Sequence, residues 1–203
     1  MPVAYAASEK RAELVRAATE LLYRQGLQHT TLAEVAEAAQ VPLGNVYYYF
    51  KTKEALAEAV IASHEQSLRL QFAAWAEAHG DPRKRLRRLV LAPLDMADGI
   101  VEYGCPHGSL CQELAKLVPG APLAKAASRL LGTYVDWAAE QFRALECGPR
   151  ESRALAGDLV AAIQGTMLLA HAMRSKDLLG HQLRRIERSI EDSLVRRSPR
   201  RHA

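Results

Sequence analysis

An all-α fold, with about nine helices, is predicted for this 203-residue chain by three observations. Ala, Leu, Glu and Arg dominate its composition, and all four are good helix formers. Apolar residues recur at intervals of three and four through most of the length, the period of an amphipathic helix. No strand-period stretch bounded by turn residues appears, and Val and Ile are sparse.

The elements follow in order. A first helix is expected from about Ser8 to Gln25, with Leu14, Ala17, Ala18, Leu21 and Leu22 as its apolar stripe. Gly26 reads as its left-handed C-terminal stop. In "TTLAEVAEAAQV", Thr31 and Glu34 have the spacing of a capping box, which opens a short helix over about 32–39. Pro42 fits only the first turn of a further helix, which ends near Tyr48 or Tyr49. Thr52 caps a long fourth helix reaching about His79, with Leu56, Val60, Ile61, Leu68, Phe72 and Trp75 turned inward. Asp81 and Pro82 make the cap and first position of a fifth. Further helices are expected over about 106–117, 123–145, 149–174 and 178–195.

Composition sets the class. An apolar share of 49% and a charged share of 25% belong to a folded globular chain. No apolar run approaches the ~18 residues needed to span a membrane, and no signal-peptide order opens the chain, so a cytoplasmic location and no membrane partner are expected. Three cysteines suit a reducing compartment better than a disulfide framework. A net charge of +4 suits an anionic partner without demanding one. No phosphate loop, Gly-x-Ser-x-Gly elbow, His-Glu-x-x-His or dinucleotide fingerprint is present, so the chain is not expected to be an enzyme. Nucleoid-type packaging of DNA would need a far more basic chain.

The stretch "GNVYYYFKTKEAL", residues 44–56, holds three consecutive tyrosines of the seven in the chain. Adjacent helix positions diverge by about 100°, so one core face cannot take all three rings. Two short helices joined by a tight turn, after a longer helix, form the helix-turn-helix pattern. Its second short helix enters the DNA major groove. There, one ring packs inward and the others face the backbone, where a phenol packs on sugar and bonds a phosphate oxygen. Lys53 and the hydroxyls of Thr30 and Thr31 would anchor phosphates at the two ends of the unit.

Residues 10–56 resemble the N-terminal domain of the TetR/AcrR family of bacterial transcriptional repressors. The resemblance rests on Thr30-Thr31, Val35-Ala36, Ala39-Gln40-Val41, Gly44, Tyr47, Phe50, Lys53 and Leu56. It implies a DNA-binding domain over 1–52 and a ligand-binding and dimerisation domain over 53–203. It implies phosphate contacts from Thr31, Tyr47, Tyr48 and Lys53, and base-edge contacts from Leu43, Gly44, Asn45 and Tyr48. Gln40 stands where the family has a turn glycine, and Pro42 where it has a serine or threonine cap. Residues 1–53 carry six cations and five acids, a net of +1, so tight binding to duplex operator DNA is expected to need two copies of the chain.

The homodimer interface is expected on the last two helices. Gly157, Ala161 and Gly165 would give a flat face, with Leu155, Leu159, Ile163, Met167 and Ala170 beside it. Leu179, Leu183, Ile186, Ile190 and Leu194 would form a bundle seam. A small-molecule effector is implied, and His64, Met96, Tyr103, Cys105, Trp137, Met167 and His171 are the candidate contacts among apolar helix positions. A second reading makes Cys105 a thiol-based electrophile sensor, since it would cap the helix opened by Pro106, where a thiolate is favoured. The "GC" step there resembles that of electrophile-responsive members of the family. Cys105, His107 and Cys111 lack the paired close ligands of a zinc site, and no metal or cofactor is expected. Arg83, Lys84, Arg85, Arg87 and Arg88 read as a solvated helix face. The tail "RRSPRRHA" reads as mobile.

Overall fold

A computed structural model describes residues 2–117 and 119–197, with side chains from 9 to 192 apart from 118. Ten α-helices and one 3-10 turn occur among the described residues, with no strand. They are α1 (Pro2–His29), α2 (Leu32–Ala38), α3 (Leu43–Tyr49), α4 (Lys53–Ala78) and α5 (Pro82–Leu91), then the 3-10 turn Ala92–Met96, then α6 (Ala97–Tyr103), α7 (Pro106–Leu117), α8 (Pro122–Ala144), α9 (Pro149–Ala172) and α10 (Lys176–Arg197). The nine expected helices are present, and α6 is the addition. Nothing in "APLDMADGIVEY" marks its start, because Met96 offers no capping side chain.

Local chemistry sets the ends of several helices. The Thr31 hydroxyl accepts the Glu34 N–H, and the Glu34 carboxylate accepts the Thr31 N–H, so both halves of the capping box are made. Thr52 Oγ1 accepts the Ala55 N–H at 3.1 Å, and Asp81 Oδ1 accepts the Arg83 N–H at 2.9 Å. Gly26 breaks α1 at φ 79°, ψ 167°. That is the extended positive-φ region open essentially to glycine alone, not the left-handed helical region expected from sequence.

The chain forms two compact units: Met1–Leu70 with Pro106–Leu131, and Gln71–Cys105 with Gly132–Ala203. In the first, Leu14, Ala18, Val35, Val46, Leu56 and Val60 are buried, joined by Leu110 and Leu114 of α7. In the second, Phe72 and Trp137 stack at 4.5 Å between ring centroids, and Trp75 and Tyr134 meet them edge-on. Leu86, Leu89, Ile100 and Phe142 of the same unit are also buried.

Two sequence expectations are corrected in the second unit. The basic face of α5 is not simply solvated. Arg85 closes the C-terminal end of α4, donating to the His79 carbonyl at 2.6 Å and the Ala76 carbonyl at 3.2 Å, and it also bonds Gln141. Arg87 pairs with Glu187, which raises the guanidinium's affinity for its proton. Arg88 pairs with Asp95 and lies over the Trp75 ring. The second correction concerns α9, which is long and apolar enough, by length and composition, to cross a membrane. Its Leu159, Ile163, Met167 and Ala170 are buried, and α9 packs on α6 and α10.

Burial also divides the expected dimer residues. Leu159, Ile163, Met167, Ala170, Leu179 and Leu183 belong to the unit's own core. Leu155, Gly157, Ile186 and Ile190 are half-buried, while Ala161 and Gly165 are exposed beside Leu168, Leu169 and Met173. The side chain of Leu194 and the tail from Ser198 lie outside the described residues.

Candidate nucleic-acid interface

The turn between α2 and α3 is closed by three amides. Ala39 N–H donates to the Val35 carbonyl, Gln40 N–H to Glu37 and Val41 N–H to Ala36, all at 2.9–3.0 Å. The last two bonds are the pair of a Schellman motif, whose pivot needs a positive φ. Gln40 supplies it at φ 54°, where a Cβ costs roughly 1 kcal/mol. Pro42 is the N-cap of α3 rather than its first helical residue, at φ −55°, ψ 136°, with no side-chain cap bond.

Within α3 only Val46 is buried, and Phe50 just beyond it is buried too. The Arg11 guanidinium covers the Phe50 ring at 5.1 Å from its centroid. These anchors turn the rest of the helix outward. Tyr48 is 73% exposed and Tyr47 47%, while Tyr49 is half-buried, its ring 5.0 Å from that of Tyr48 and edge-on. Leu43 and Gly44 are exposed and Asn45 is half-buried. A Cβ built on Gly44 would meet nothing within 4 Å, so the chain itself leaves open space there.

The polar anchors differ in availability. Thr30 is only 1% exposed, and its hydroxyl donates to the Gly26 carbonyl at 2.7 Å. Thr31 is exposed, with its hydroxyl donating to Glu34 Oε2 at 2.8 Å. The Thr31 amide and hydroxyl, with Gln25, hold the Glu34 carboxyl below the usual carboxylate range. Lys53 Nζ donates to the Gln28 carbonyl at 3.2 Å. Sequence reasoning had no means of finding a further participant: Glu113 of α7 accepts the N–H groups of Leu27 and Gln28, each at 2.8 Å.

The candidate effector residues fall in both units. In the first, His64 Nδ1 of α4 lies 3.1 Å from His107 Nε2 of α7, one ring donating to the other. Burial lowers the pKa of His64; burial and the adjacent His64 bring that of His107 down to about 3. In the second unit Trp137 and Met167 are buried, Tyr103, Cys105 and His171 are half-buried, and Met96 is exposed. His171 Nδ1 is 3.1 Å from the Val101 carbonyl. Burial, with a smaller contribution from Cys105, raises the Tyr134 phenol. None of the three cysteines is in a disulfide, and Cys111 Sγ donates to the Ala127 carbonyl. Among the described residues no group of three or more His, Cys, Asp or Glu is placed to hold a metal ion.

An all-helical chain opening in a capped helix, a Schellman turn and a short helix with an outward aromatic face has the build of a helix-turn-helix regulatory protein. Residues 14–60 match the sequence profile of the bacterial regulatory proteins of the tetR family. The chain is 33% identical over 150 residues to the HTH-type transcriptional regulator BetI of Burkholderia ambifaria, covering 60% of this chain and 76% of that protein. The chain belongs to the tetR family. It is also 38% identical over 86 residues to the HTH-type transcriptional regulator TtgR of Pseudomonas putida, a match spanning 42% of this chain and 41% of TtgR. The regulatory protein TetR from Rhodobacter sphaeroides shares the fold at a TM-score of 0.73 and 26% identity, covering 87% of this chain and 96% of that one.

Proposed function

We propose that the chain is a DNA-binding transcriptional regulator: a homodimer that reads a near-palindromic operator and is released from it by a small-molecule effector, acting as a repressor. The observation that carries the reading is the outward face of α3. Its Leu43, Tyr47 and Tyr48 are exposed around Gly44 and Asn45, although Val46 and Phe50 fix the helix from behind. Amphipathic rings beside a bare backbone suit the sugar–phosphate edge and base edges of a major groove. Thr31, Tyr47, Tyr48 and Lys53 are assigned to phosphates, and Leu43, Gly44, Asn45 and Tyr48 to base edges. Thr30 is left out because it is buried, at 1% exposure, whereas Thr31 is exposed.

The second copy is assigned to the exposed face of α9, where Leu168, Leu169 and, just past the helix, Met173 are more than half exposed. The effector is assigned to the candidate residues of the second unit, Met96, Tyr103, Cys105, Trp137, Met167 and His171. Noncovalent binding is the switch carried forward. An effector that binds one arrangement of the readers better than the other shifts the equilibrium, and operator DNA weakens effector binding by the same factor. The test is a thermal-shift screen of small molecules, followed by operator release with each hit. Equal affinity of a hit for the free and operator-bound protein refutes induction.

A further inference from the structure

We propose that Glu113 of α7, far from the helix-turn-helix in sequence, is a positioning residue for the DNA reader. The inference rests on the regulator reading above. Glu113 holds the turn between α1 and α2 with both carboxylate oxygens: Oε2 accepts the N–H of Leu27 and Oε1 that of Gln28, each at 2.8 Å. Hydrogen bonds to an ionised acceptor are about twice as strong as neutral ones, and two on adjacent amides also fix direction.

The turn is built around this grip. Gly26 has a backbone conformation that glycine alone adopts readily, and a Cβ there would stand 3.0 Å from both oxygens of Glu113. The carboxylate occupies the space a side chain would need. From the other side, Thr30 bonds the Gly26 carbonyl and Lys53 the Gln28 carbonyl. Thr31, the cap of α2 and a proposed phosphate contact, follows directly. Shifting the Leu27–Gln28 amides therefore shifts Thr31 and the start of α2.

The helix that carries Glu113 is itself held within the same compact unit. Leu110 and Leu114 are buried, His107 bonds His64 of α4, and Cys111 bonds the Ala127 carbonyl of α8. The reading unit thus includes a helix that is absent from the matched residues 14–60.

The experiment uses the full chain and a duplex that the wild-type chain selects from a random-sequence pool. Glu113→Gln keeps the shape but sets one acceptor oxygen and one NH2 group against two donors. It is expected to lower affinity for the selected duplex at least tenfold, with helicity and dimer mass unchanged, and to speed hydrogen exchange at Leu27 and Gln28. Because Glu113 acts through the turn that carries Thr31, its effect in a Thr31→Val background should shrink to threefold or less. A loss from general destabilisation would instead multiply in full. Glu113→Asp, which keeps the charge but shortens the reach, should fall between the two and serves if Glu113→Gln does not fold. Faster exchange at the two amides with unchanged affinity overturns the inference, as does full multiplication with Thr31→Val. A wild-type chain that selects no duplex overturns the regulator reading, and this inference with it.

Discussion

Apart from Leu70, Met96 and Leu117, which are exposed singly, the exposed large apolar side chains of the described residues cluster in two regions, and they do so in different company. On α3 the exposed groups are Leu43, Tyr47 and Tyr48, set around Asn45 and Gly44 and followed by Lys51 and Lys53. On α9 and just past its end they are Leu168, Leu169 and Met173, at 52–63% exposure, in a stretch with no Asp, Glu, Lys or Arg between Asp158 and Arg174. The first face mixes ring, hydroxyl, amide and cation, which a wet, anionic duplex can satisfy. The second offers aliphatic and thioether surface with small residues, Ala161 and Gly165, along it. Only another apolar surface repays its burial, at about 25 cal/mol per Å2. Exposed apolar area is thus not one signal: its polar neighbours decide whether it fits nucleic acid or protein.

The largest expected effect comes from breaking the second face. Leu168→Glu with Leu169→Glu should leave the helical content intact and give a monomer in sedimentation at micromolar concentration. Operator affinity should then fall by roughly 10²–10⁴, because one reader loses the effective concentration its tethered partner supplies. Changes on the first face should be smaller and should separate by type. Tyr47→Phe removes a hydroxyl only and should weaken all duplexes alike, by roughly tenfold. Asn45→Ala should instead change which base pairs are preferred, by about 1–3 kcal/mol at the affected position. Binding assays on a panel of singly substituted duplexes tell the two apart.

Acid tests how firmly the unit behind the first face is held. A histidine in the unfolded chain titrates near 6.5, whereas His107 stays neutral down to about pH 3. Between those values the unfolded state binds more protons. Stability is therefore fully present above pH 6.5 and falls as pH falls toward 3, by up to about 1.4 kcal/mol per pH unit. Urea midpoints measured from pH 7 to 4.5 should show this slope, flattened in His107→Gln. The smallest effect belongs to Gln40→Gly. It relieves the positive φ of the turn and should raise stability by at most about 1 kcal/mol, seen as a small rise in melting temperature, with duplex preference unchanged.

The legible parts of the sequence were those whose physics is local. Thr31 and Glu34 are three residues apart, so spacing alone reveals their capping box, and both bonds are present. The same holds for the Asp81 cap. Intervals of three and four placed Leu56, Val60, Ile61, Leu68, Phe72 and Trp75 inward, and all are buried. What escaped depends on contacts between residues distant in sequence. Arg85 looks like any surface arginine until the end of α4 is beside it. On α9, one periodic pattern supports both an inner stripe and an outer one, and only packing showed that Leu159, Ile163 and Met167 go inside while Leu168 and Leu169 do not. Glu113 is the extreme case, since its partners are two backbone amides 85 and 86 positions away, and a backbone amide leaves no mark in a sequence.

Whether two copies of this chain read DNA together is decided by duplex selection. The full chain, at about 150 mM salt, selects from a random double-stranded pool, and the complexes are weighed by sedimentation. An inverted repeat bound by two chains or a multiple of two is expected, with recognition helices about 34–36 Å apart or a multiple of that. A single unrepeated half-site bound by one chain would contradict it, as would binding no stronger than to bulk DNA.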